Sequence, residues 1–206
     1  MGTQSDVKVT FISDEVLADP NGFSASAQVN ANTALVLGGA LADGGAVTLG
    51  SARTVSITSG GDDRNISFTV VGTDLDGASL TESITGVNAS AATGSKFFKT
   101  IVSITPVGNP AGTVIAGTTA SAADIIFGGR TRLKGYSIVS GGTAGVIQFL
   151  NGEPNGGGTA LFKARTVGTD NTTIDNTIPE EGVVFDSGVY VLYTIATTDM
   201  MSFFYA

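Results

Sequence analysis

Few residues of this chain carry side chains that do chemistry, and their spacing narrows the chemistry further. It contains no cysteine and no histidine. Ser-His-Asp and Cys-His nucleophilic pairs and histidine-ligated zinc are therefore excluded, as are disulfides. Carboxylates remain. Asp74 and Asp76, with Gly77, in GTDLDG begin like a calcium loop. A hard cation wants about six to eight oxygens, and an EF-hand closes on a bidentate Glu. Counted from Asp74, that twelfth position holds Thr85, and the fifth holds Ala78 instead of an oxygen ligand. Asp-Gly between two alternating stretches is a hairpin signal, so a turn is expected at Asp74 and Asp76, with a cation site there as the alternative. Asp62 and Asp63 read as another turn pair. Glu180 and Glu181 are adjacent, and on extended backbone neighbours point apart. Two distant carboxylates brought across a cleft would still allow a glycosidase or depolymerase. The glycine-rich GGALADGG has no lysine and no following helix, so it reads as a flexible turn and not a phosphate loop. The expectation is a chain that is not an enzyme and holds no cofactor.

The elements that carry these turns are strands. Val55 and Ile57 alternate with Thr54, Ser56 and Thr58, as in a strand with one buried face. Ile66, Phe68 and Val70 form a second such run after SGGDD. Leu80, Glu82 and Ile84 begin a third, and after a small-residue loop Phe98 to Thr105 gives a fourth. Residues 53 to 106 thus predict a four-stranded antiparallel unit. Shorter strands are expected before it, near Ser24 to Val29, Ala34 to Leu37 and Ala46 to Leu49. Val7, Val9 and Phe11 alternate in an N-terminal arm that would pair with a sheet edge, its own or a neighbour's. Ser13, Asp14 and Glu15 could cap a helical turn through Leu17 before Pro20 ends it.

Composition agrees with a strand-and-turn chain. Glycine contributes 29 of 206 residues, about twice its usual share. Charged residues are 14%, against ~25% in ordinary domains. The mean hydropathy of +0.28 with so few charges points to apolar surface buried in an assembly; a tightly packed sandwich rich in Ala, Gly and Val is the alternative. The net charge is −8, and an acidic body repels phosphate backbones, so no nucleic acid is expected as partner. No apolar run is long enough to span a membrane, and the N-terminus shows no secretory pattern. The one basic cluster, Arg130, Arg132 and Lys134, alternates along a strand; it is either a docking patch for an acidic partner or a solvated face.

The run RTVSITSGGDDRNISFTVVGTDLDGASLTESITG, followed by KFFKTIVSITP, resembles a module that recurs in structural proteins of tailed-bacteriophage virions. The resemblance covers roughly residues 17 to 118. The C-terminal GVYV and SFFY segments resemble, more weakly, a small terminal β domain of such proteins. This likeness implies a capsid decoration or cement protein on the exterior of a virion assembled in the bacterial cytoplasm. Its partners would be the major capsid protein and further copies of itself, a trimer among the options. A tail component (adaptor, tube-associated or fibre protein) is the first rival, and a glycan-binding domain the second. The absence of tryptophan and the placing of Tyr190 and Tyr193 in an expected core strand count against the latter.

Downstream, the Gly/Thr/Ala/Ser stretch from Ala116 to Ala123 reads as a linker, with a boundary near residue 126. Strands are then expected at Arg130 to Ser140, Gly145 to Leu150, Thr159 to Val167, Thr172 to Ile178, Gly188 to Ile195 and Met201 to Tyr205. In MMSFFYA, Met201, Phe203 and Tyr205 face one way and Met200, Ser202 and Phe204 the other. With both faces largely apolar, a strand buried on two sides is expected, in a core or at a subunit contact. The overall expectation is an all-β fold: an arm (1–20), an Ig-like sandwich (21–126) and a jelly-roll-like sandwich (127–206). The candidate contact residues are Val7, Val9, Phe11, Arg130, Arg132, Lys134, Phe203, Phe204 and Tyr205.

Overall fold

Alternating β-branched and hydroxyl residues, interrupted every few positions by Gly, Asn or Asp, leave the backbone little choice but strands and tight turns. The structure, a computed structural model, describes residues 6–13 and 17–206. The helical turn expected through Asp14 and Glu15 falls largely outside them. The strands are β1 (Lys8–Ser13), β2 (Ser24–Ala27), β3 (Ala42–Asp43), β4 (Ala46–Ser59), β5 (Ser67–Thr73) and β6 (Ser79–Thr85). There follow β7 (Ala91–Thr93), β8 (Phe98–Val107), β9 (Val114–Phe127), β10 (Thr131–Ser140) and β11 (Val146–Asn151). The last are β12 (Thr159–Arg165), β13 (Thr172–Thr177), β14 (Val183–Phe185), β15 (Val189–Thr194) and β16 (Thr198–Tyr205). The fold is all-β and sandwich-like, built from antiparallel sheets, with two short 3-10 turns as its described helical pieces.

The chain divides into two compact units, Val16–Ala122 and a second made of Met1–Glu15 with Ala123–Ala206. The N-terminal strand therefore belongs with the C-terminal unit, where β1 pairs antiparallel with β16 from Lys8↔Tyr205 to Ser13↔Met200. The division falls inside β9, and the Ala116 to Ala123 stretch read above as a linker is strand. Its small residues are there because Ala116, Ala122 and Ala123 are fully buried, where a larger side chain would not fit.

In the Val16–Ala122 unit the four strands expected from residues 53 to 106 are present, in the spatial order β4-β8-β5-β6. The two expected strands around Ala46 and Val55 are one continuous β4. Leu35 lies outside any strand, although its N–H donates to the Ile104 carbonyl at 2.8 Å. Burial in β6 alternates residue by residue, with Leu80, Glu82 and Ile84 inside. One core gathers Phe23, Val47, Ile57, Phe68, Phe98, Ile101 and Ile104. At the β5–β8 bulge, a side chain on Gly72 would collide with the Thr100 carbonyl, so glycine is required for the close approach.

In the second unit one sheet runs β1-β16-β10-β13, with β14 also pairing β10, and a second contains β12-β11-β15. Tyr136 and Phe203 from the first sheet meet Phe149 from the second at ring-centroid distances of 5.7 and 5.6 Å. Phe162 adds a third ring 5.0 Å from Phe149. These edge-on and tilted contacts are the preferred aromatic geometries and form the centre of this sandwich. Tyr190 and Tyr193 are buried in β15, as expected.

Candidate functional site

Several of the acidic residues hold turns and loops. Asp74 Oδ1 accepts from the N–H groups of Asp76 (3.0 Å) and Ala78 (2.8 Å), and Gly77 takes φ +81. This is the expected β5–β6 turn, its side-chain oxygen spent on backbone donors. Asp62 forms a 2.7 Å ion pair with Arg64, whose guanidinium holds the Asp62 carboxyl below its usual range. Asp63 is fully buried, and its Oδ1 accepts from Ala111 N–H at 2.7 Å. It thereby ties the loop after β4 to the loop before β9. Glu180 and Glu181 are both exposed, Glu180 with φ +57. Among the described residues no group of three or more acids is placed to hold a metal ion.

Glu82 plays a role that its sequence position only half discloses. Its place between Leu80 and Ile84 puts it on the inner face. There Oε1 accepts from Ser95 N–H (2.6 Å) and Ser95 Oγ (2.9 Å), and both carboxylate oxygens lie 3.3 Å from Lys96 N. Gly94 leaves room for the carboxylate, since a Cβ there would stand 2.5 Å from Oε2. A buried carboxylate needs such donors, and the 94–96 turn supplies them from thirteen or fourteen residues away.

The candidate contact residues separate into two sets. Phe203 is fully buried and Tyr205 nearly so; Tyr205 stacks on Phe127 at 5.4 Å. Both belong to the sandwich core, and a neighbouring molecule cannot reach Phe203. Arg130 is exposed and pairs with Asp186 at 2.8 Å. Arg132 and Lys134 are half-buried in β10. The three alternate with the buried Thr131 and Leu133, as expected, and the regular register ends just there, with a shift between Leu133 and Gly135.

Val7, Val9, Phe11 and Phe204 form the second set. Cross-strand register places them in rows on one face of the β1-β16-β10-β13 sheet. Val9, Phe204, Gly135 and Thr177 make one row; Phe11, Ser202, Ser137 and Asp175 the next; Ser13, Met200, Val139 and Thr173 the third. Phe11 is 56% exposed, Val9 58%, Val7 45%, Met200 39% and Phe204 38%. Within the chain β16 is therefore buried on one face only, so of the two expectations for MMSFFYA the strand buried on both sides in a core is not met. Its neighbours β1 and β10 cover its edges, and among the described residues its outer side chains Met200 and Phe204 stay exposed. Beside these residues lies a depression of about 490 Å³ bounded by Val7, Lys134, Gly135, Asp175, Thr177 and Phe204. Gly135 makes its floor: a Cβ there would stand 2.7 Å from the Asn176 carbonyl. Met200 was the member of this surface that sequence reading passed over as a contact residue, although its parity with Phe204 identifies it.

On the other side of β1, the exposed Lys8 places its Nζ 5.9 Å from the Phe127 ring centre. Thr10 Oγ1 donates to the Ile126 carbonyl at 2.9 Å. The inner side of β1 is thus fastened down while its outer side shows Val9 and Phe11 to solvent. Chemically, this surface can exclude water from an apolar partner. Compared with protein families and with curated proteins, the chain matches neither a family model nor a curated sequence.

Proposed function

We propose that this chain is a non-enzymatic structural protein of a tailed-bacteriophage virion, and within that class a decoration or cement protein of the capsid exterior. The observation that supports the reading is the apolar outer face of β1 and β16, exposed on a chain whose buried Glu82 holds the 94–96 turn and whose buried Asp63 holds Ala111 through Oδ1. An exposed apolar patch on a sparsely charged protein marks a surface to be covered by another protein chain, as in an assembly built from further copies of this one. The likeness of residues 53 to 106 to a virion module supplies the context. In this role the protein binds the assembled lattice and not its free subunits, so it stabilises the lattice by mass action. Many copies, each weakly held, add by avidity.

Electron microscopy of particles carrying a labelled copy of the chain tests the proposal. The expected image shows label over the whole shell. Label confined to one vertex assigns the chain to the tail, and particles without label overturn the virion reading.

A further inference from the structure

Antiparallel sheets of soluble proteins commonly bury one face and wet the other. The β1-β16-β10-β13 sheet departs from that rule. Its inner face carries Leu133, Tyr136, Ile138, Met201 and Phe203, all buried, and its outer face carries Val9, Phe11, Met200 and Phe204, all exposed. We infer that this outer face packs against the same face of a second copy of the chain, with Phe11 of each copy seated over the Gly135 depression of the other.

The choice of a second copy follows from the layout of the face. Phe11 projects from β1, and most of the depression's lining belongs to β10 and β13 across β16, with Val7 and Phe204 closing its near rim. A two-fold axis running along β16 exchanges these two sides, so one rotation lays each projecting ring over the other copy's depression. Such a contact is isologous: the same patch serves on both subunits. The axis also sets the two sheets face to face with their strands roughly aligned, as in a sandwich.

Area and charge agree. At the exposures given above, the five apolar side chains Val7, Val9, Phe11, Met200 and Phe204 present on the order of 400 Å². Two such patches with their rims come to about 1,000 Å², the lower limit for a specific interface. Although each copy has net charge −8, the rim carries both signs in Lys134 and Asp175, so the patches do not oppose one another as like charges. The inference does not depend on the virion reading, since a dimer of this kind would form in isolation.

Sedimentation velocity on the purified full chain at micromolar concentration is the test. The expected mass is twice 20.7 kDa. The double variant Phe11→Ser, Phe204→Ser should sediment as a single chain with an unchanged circular dichroism spectrum. The control Val102→Ser, which removes a comparably exposed side chain from β8, should leave the two-chain mass. Because the chain has no cysteine, the single variant Ser202→Cys gives a second readout if the double variant misfolds. Ser202 lies beside the axis, so a short bis-maleimide should join two copies there and should not join Thr81→Cys. A single-chain or three-chain mass for the unaltered protein overturns the inference. So does a two-chain mass that survives the double substitution, or a Ser202→Cys protein that does not cross-link.

Discussion

On the outer face of β5, β6 and β8 the cross-strand rows read Thr85–Ser67–Val107, Ser83–Thr69–Thr105, Thr81–Val71–Ser103 and Ser79–Thr73–Thr100. On the outer face of β1, β16 and β10 they read Val9–Phe204–Gly135, Phe11–Ser202–Ser137 and Ser13–Met200–Val139. Both faces come from antiparallel strands over an aromatic core, yet one is finished in hydroxyls and the other in rings and thioether. Thr73 and Thr100 even share a hydrogen bond of 2.8 Å across the first. Hydroxyl groups on a pleated surface keep β propensity while remaining hydrated, so the first face is adapted to water. The second keeps the propensity and gives up the hydration, which is worthwhile only if something displaces the water.

The comparison can be sharpened most strongly on β16, where adjacent phenylalanines face opposite ways. Phe203→Ala should lower stability by about 3–5 kcal/mol, because it empties a fully packed site. Phe204→Ala should cost less than about 1 kcal/mol in the folding of the chain; urea denaturation of both variants, monitored at a concentration where the chain is single, checks the contrast. Equal losses would erase the distinction between the two sides of the sheet. Next in size is Gly72→Ala, expected to cost about 3 kcal/mol by forcing apart β5 and β8 at the Thr100 carbonyl. Amide hydrogen exchange should show the opening confined first to those two strands.

Glu82→Ala should cost about 2–3 kcal/mol, since it strands the Ser95 and Lys96 N–H donors, and denaturant titration measures it. A loss near zero would mean that the 94–96 turn holds without its carboxylate. Smallest is the Asp62–Arg64 pair on the surface. Its hydrogen bonds lower the Asp62 pKa in the folded state. The stabilisation is therefore present above the unfolded-state carboxyl pKa and is lost as pH falls through the lower folded value. With both groups fully exposed, salt screens the pair. Arg64→Gln should shift the Asp62 carboxyl resonance titration upward, toward an ordinary carboxylate, without a measurable change in thermal midpoint.

Much of the fold was legible because burial follows parity. The alternation Leu80, Glu82, Ile84 gave β6 its inner face, and the Gly, Asn and Asp clusters marked the turns between β10 and β16. Parity also separated Phe203 from Phe204, but it could not say which side would be covered, since both sides of MMSFFY are apolar. β7 escaped notice because Ala91, Ala92 and Thr93 carry almost no pattern; its pairing with β4 is what makes it a strand. β14 was missed for its brevity. The linker reading of Ala116 to Ala123 failed because small residues serve a crowded interior as well as a flexible tether. The depression at Gly135 depends on a bulge and on contact with Asn176, neither of which spacing reveals.

Pairing of β1 with β16 joins segments nearly two hundred residues apart, Lys8 with Tyr205. During synthesis on the ribosome, Lys8 to Ser13 emerge long before their partner strand. The Val16–Ala122 unit, which has a hydrophobic core of its own, has the means to fold while the first strand is still waiting. That wait leaves Val9 and Phe11 unsheltered on a nascent polypeptide, so β1 should be open to chaperone capture or mispairing until β16 is made.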